Sequence, residues 1–136
     1  MDEQLLAIYY ASTYRVRLSQ GGTASLRIGQ PLPASLLDLV GAAPWNFVTA
    51  WNPRSLARPR ASNRQAQRQL MSELRQRDDV LVIRAGVGEG QTGWREASLF
   101  VVGPDRATMD GLAEAYAQNA YLHGIGQDDM RLRALA

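Results

Sequence analysis

The chain has 136 residues, 46% of them hydrophobic and 21% charged, which suits one compact domain spanning 1–136 and argues against disorder. It contains no cysteine, so disulfide frameworks, thiolate zinc sites and cysteine nucleophiles are excluded together. All 15 basic residues are arginine against 13 acids, and the net charge of +2 is too mild an excess to argue nucleic-acid binding by itself.

Residues 3 to 12 hold Leu5, Leu6, Ile8 and Tyr9 at a spacing that predicts a short amphipathic helix laid against the core. The acidic start Met1-Asp2-Glu3 lacks the basic flank of an export signal, and no stretch approaches the roughly 18 apolar residues of a membrane span, so a cytoplasmic location is expected. Tyr14 to Leu18 and Ala24 to Ile28 alternate around Gly21-Gly22, which reads as a hairpin with Arg15, Arg17 and Arg27 on its wet face. Pro31 and Pro33 then open a short helix through Leu36 and Val40, closed by Gly41.

Trp45 to Trp51 reads as a buried strand that stops at a Trp51-Asn52-Pro53 turn, where proline denies the ladder a donor. An exposed loop follows, and a long helix is expected from Ser62, as its cap, to Arg77. Val80 to Ile83 suits a central strand, Gly86 to Gly93 a glycine-rich hairpin connection, and Trp94 to Val102 the returning strand. A helix from Pro104-Asp105 to about Gln118 and two short strands, Tyr121 to Ile125 and Met130 to Leu135, complete the chain. The order predicts an α+β fold: a single-domain layered sandwich with a mixed or mostly antiparallel sheet and about four helices.

Chemistry concentrates at element ends. The Gly86-Val87-Gly88-Glu89-Gly90 run follows a strand, but a phosphate loop needs a helix after it and a strand follows here. His123 has no second histidine or cysteine nearby, so no metal site is expected, and no cofactor either. No G-x-S-x-G elbow supports a hydrolase triad. Helical projection turns Asn63 inward with Leu70 and Leu74, and Asn119 inward with Leu112 and Tyr116. Glu96 shares strand parity with Trp94, Ser98 and Phe100, so burial would leave its carboxyl in need of a partner or raise its pKa.

Trp51, Asn52, Asn63, Glu96, Gln118 and Asn119 are therefore the candidate ligand-binding residues, with an aromatic wall and amides suited to a small polar molecule such as a nucleobase or amide. Two other readings use the same chain. Arg60, Arg64, Arg68 and Arg75 share a helix stripe able to follow a nucleic-acid backbone, although a solvated face is the commoner meaning of such a row. Alternatively the amides only pin loops, in a structural or protein-interaction module.

Leu26-Arg27-Ile28-Gly29-Gln30, Thr49-Ala50-Trp51-Asn52-Pro53, the helix-opening Asn63, Gly88 to Glu96 with Trp94, and Ala117-Gln118-Asn119-Ala120, taken in that order, resemble a family of small bacterial proteins. It is the domain-of-unknown-function family numbered three-two-nine-three. Members often carry a glutamate before the helix-opening asparagine, where this chain has Ser62. The resemblance implies one domain of bacterial origin and brings no activity with it.

Overall fold

The computed structural model describes residues 1–135. The elements run α1 (Glu3–Ala11), β1 (Thr13–Arg17), β2 (Thr23–Leu26), α2 (Ala34–Val40), β3 (Pro44–Val48), α3 (Arg60–Arg75), β4 (Val82–Glu89), β5 (Arg95–Val102), α4 (Arg106–Ala115), β6 (Ala120–Ile125) and β7 (Arg131–Ala134). The strands form one seven-stranded sheet in the order β2-β1-β4-β5-β3-β6-β7, every pairing antiparallel. The fold is α+β, as the element order predicts. Among the described residues no helix is long and apolar enough to cross a membrane.

Strand parity divides the core in two. Trp45 and Phe47 of β3 and Phe100 and Val102 of β5 point to one face, where they meet Leu36 and Val40 of α2. Val48, Leu99 and Val101 point to the other, against Leu70 and Leu74 of α3 and Met109 and Leu112 of α4. Leu26 of the first edge strand and Met130 beside the last share the α2-side core, so the sheet curls around that helix. Its two edges are tied across the opening, Gly29 N–H donating to Met130 O at 2.8 Å and Met130 N–H to Gln30 O at 2.8 Å.

Several boundaries differ from expectation. The strand read as Trp45 to Trp51 ends at Val48, because the Thr49 hydroxyl takes the Trp51 N–H at 3.0 Å and turns the backbone out of the ladder. The long helix begins at Arg60 behind Pro59 and makes no side-chain cap, so Ser62 lies within its first turn and is not the cap. The first half of the glycine-rich stretch is strand. Gly86 and Gly88 lie inside β4, and a Cβ at Gly86 would sit 2.8 Å from the Phe47 ring and 2.9 Å from Arg15 O. Only glycine admits the neighbouring strand and ring so closely. The predicted amphipathic helix forms as α1, capped by Asp2, yet none of its residues is buried, and Leu6, Ile8 and Tyr10 are exposed.

Candidate functional site

The Thr49 to Arg58 segment connects β3 to α3 and is fastened from two sides. Asn63, 3% exposed in the first turn of α3, accepts the Asn52 N–H at 2.9 Å through Oδ1. Its Nδ2 donates to Asn52 Oδ1 at 2.8 Å and to Arg58 O at 3.3 Å. Gln67, one helical turn further on, accepts the Ala50 N–H at 2.9 Å. From the turn between α4 and β6, Gln118 Nε2 donates to Trp51 O at 3.2 Å, Asn119 Nδ2 donates to Ser55 Oγ at 3.0 Å, and Ala117 O accepts the Arg54 N–H at 2.7 Å. Asn119 reaches the loop from beyond the end of α4, because that helix stops at Ala115 and not near Gln118.

These anchors hold an unusual backbone. Asn52, Arg54 and Ser55 all have positive φ, at 46°, 56° and 60°. Left-handed conformations at residues other than glycine cost on the order of 1 kcal/mol or more each and persist only where surroundings over-determine them. Pro53 keeps Asn52 out of the right-handed helical region, and the left-handed well is where it settles.

The consequence is a fixed orientation for the Asn52 amide. Its Oδ1 accepts from Asn63 Nδ2 and, at 3.1 Å, from Arg58 N–H, so its Nδ2 must face the other way. There it donates to Glu96 Oε2 at 3.3 Å. Glu96 sits on β5 opposite Gly88 of β4, which in turn pairs with Tyr14 of β1, and so lies on the inner face of the curled sheet. Burial pushes the Glu96 carboxyl up from 4.5 to about 7, and the Asn52 bond offsets part of that rise.

Glu96 and Asn52 open on a cavity of about 260 Å3, walled by Leu5, Ile8 and Tyr9 of α1, by Ser55 of the loop and by Trp94 at the start of β5. Tyr9 is likewise pushed up to about 12, first by burial and then by the Glu96 charge, while the Ser55 hydroxyl works against the shift. Trp94 folds back over the end of β4, and a Cβ on Gly90, just past that strand, would overlap its indole. The glycines before it thus make room for an aromatic wall.

Of the residues expected at a site, Asn52 and Glu96 line this cavity, whereas Asn63, Gln118 and Asn119 direct their amides to protein partners behind the loop. Trp51 is half-buried and engages through its backbone, and the cavity's aromatic walls are Tyr9 and Trp94. Tyr9 and Ser55 were not singled out by sequence. No spacing in the sequence points to either, because both reach the cavity through tertiary packing. The arginine row Arg60, Arg64, Arg68 and Arg75 is exposed along α3, and none of the four enters an ion pair among the described residues.

His123 lies apart, on β6. The buried Asn46 gives its Nδ2 to Val101 O and Pro104 O, at 3.4 and 3.1 Å, so its Oδ1 accepts from His123 Nδ1 at 2.7 Å and the proton resides on Nδ1. Burial, followed by Arg106, lowers the pKa of this imidazole.

A profile of the family described as "Protein of unknown function (DUF3293)" matches residues 48–121, just over half of the chain. The chain belongs to that family. The match takes in the DUF3293 loop from Thr49 to Pro53, its Asn63 anchor, Trp94, Glu96 and the Gln118-Asn119 turn, and leaves out α1 and the Leu26 to Gln30 piece. No curated protein and no solved structure matches.

Proposed function

We propose that this DUF3293 domain binds a small molecule in the cavity between α1, the Asn52 loop and β5. The observation that carries the reading is a largely buried carboxyl, Glu96, aligned by one amide and facing a space with aromatic walls. Ligand sites are typically concave, mostly apolar and supplied with a few placed polar groups, and at about 260 Å3 this cavity falls near the small end of their range. Strained backbone concentrated at Asn52, Arg54 and Ser55 supports a functional role, since most loops have no need of it. The expected ligand offers an N–H donor to Glu96 and a flat face to Tyr9 or Trp94, as a nucleobase or amide would. A bacterial, cytoplasmic setting is part of the same proposal, in keeping with the cysteine-free composition.

A library of small polar compounds, followed through the Trp94 indole N–H signal by NMR, tests it. Binding should move Trp94 and the Asn52 side-chain amide together, and in Trp94→Ala the shift of the Asn52 amide should be lost. Hits that move other residues and leave these two unchanged would place the ligand elsewhere.

A second reading draws on the exposed, unpaired row Arg60, Arg64, Arg68 and Arg75, which suits a phosphate backbone. It has no aromatic residue on the row for base stacking. The cavity reading is preferred.

A further inference from the structure

We infer that the cavity selects small organic cations, amidinium or protonated amine on a flat apolar body, with Glu96 as their counter-ion. The inference rests on the binding reading above and gives its ligand a chemistry. Among the described residues the ion pairs involve Glu89, Asp79 and Asp110, and Glu96 has no cationic partner. A carboxyl largely withdrawn from water and lacking a counter-charge either keeps its proton or receives a cation. Asn52 satisfies Oε2, while Oε1 has no donor among the described residues and remains for a ligand.

The walls point the same way. Tyr9 and Trp94 line the space beside the carboxyl, and the faces of such rings attract cations. Arg95 at the rim is held by Glu89 at 3.3 Å, so a cation entering the cavity meets a guanidinium already paired. An anion would instead meet the carboxylate with no compensating charge. Leu5 and Ile8 complete the lining and favour a ligand with an apolar body.

Charge at the cavity changes through Glu96. From α1 comes Tyr9, which keeps its proton to about 12, and from β1 Tyr14, pushed up further by burial. The loop brings the neutral Asn52 and Ser55, and Glu89 of β4 is paired with both Arg15 and Arg95. A bound cation therefore stabilises ionised Glu96, and well below neutral pH each binding event releases close to one proton to solvent.

Benzamidinium, benzamide and benzoate share a shape and differ in charge, which makes them suitable probes of the full-length protein. Benzamidinium should shift the Trp94 indole and Asn52 amide signals. Its affinity should fall about 100-fold from pH 8 to pH 5, because only the ionised fraction of Glu96 receives it. In Glu96→Gln, which keeps the shape and the Asn52 contact, benzamidinium should lose both that pH dependence and its advantage over benzamide. Binding of benzamide or benzoate at Trp94 as tight as that of benzamidinium overturns the cation assignment and leaves the pocket standing. Silence of Trp94 with all three also overturns it, and the small-molecule library then decides separately whether the pocket binds anything.

Discussion

Asn63 grips Asn52 at two points, accepting its backbone N–H at 2.9 Å and donating to its side-chain oxygen at 2.8 Å. The two bonds together set a left-handed backbone and the direction in which the Asn52 amide looks. Asn63→Ala removes both and leaves buried groups unpaired, which should lower stability by about 2–3 kcal/mol in a denaturant titration. Asn52→Gly tolerates the positive φ but deletes the donor to Glu96. It also deletes the oxygen that Asn63 Nδ2 and the Arg58 N–H share, so stability should fall as well, while the change specific to this variant is a further rise in the Glu96 pKa, read by carbon NMR.

Glu96 links stability to pH. Its folded pKa, about 7, stands above the unfolded 4.5, so the folded state binds more protons in that interval, and the stability it contributes is complete below 4.5 and lost as pH rises through about 7. The loss should come to about 2–3 kcal/mol, since each tenfold change in an acid's dissociation constant is worth about 1.36 kcal/mol and residual solvent contact trims the sum. His123 acts in the opposite sense, its depressed pKa giving stability that is lost as pH falls. The difference between Glu96→Gln and the parent isolates the carboxyl. The variant should gain melting temperature relative to the parent between pH 5 and pH 8, and a constant difference would show that Glu96 is not desolvated.

Two neighbouring glycines should respond unequally to alanine. At Gly90 the added Cβ overlaps the Trp94 indole, whereas at Gly88 it meets the indole Cζ3 at an ordinary 3.5 Å. Gly90→Ala should cost about 1–3 kcal/mol and shift the Trp94 fluorescence, as overpacking does. Gly88→Ala should be close to neutral. Equal effects would mean that the indole is not seated on β4.

These contrasts show which parts of the molecule could be read from sequence. Much of the order of helices and strands was legible because apolar spacing switches between periods of 2 and 3.6, as in Thr13–Arg17 against Arg60–Arg75, whereas the glycines of Val82–Glu89 hid most of that strand. Helical projection also turned Asn63 inward correctly. What it could not supply was distance across the chain. Whether Asn63, Gln118 and Asn119 face a ligand or the back of a loop depends on where Ser55 and Trp51 O lie, and that is set by tertiary packing. Likewise α1 carries no buried residue, so its periodicity held no hint that Tyr9 closes a cavity.

The exposed arginines on α3 carry the competing account. If they bind a nucleic-acid backbone, affinity should fall steeply between 50 and 200 mM salt, on the order of 10-fold or more for a few phosphate contacts, and replacing Arg64 and Arg68 with Ala should flatten that dependence. The cavity account predicts no binding of mixed single- or double-stranded oligonucleotides at the higher salt, measured by fluorescence anisotropy.

Most directly, the side-chain carboxyl of Glu96 can be followed by carbon NMR while pH is raised from 3 to 9. An ionisation midpoint near 7, moving upward in Asn52→Gly, is the predicted result. A midpoint close to 4.5 would mean a solvated carboxyl, with no buried charge for the cavity to present to a ligand.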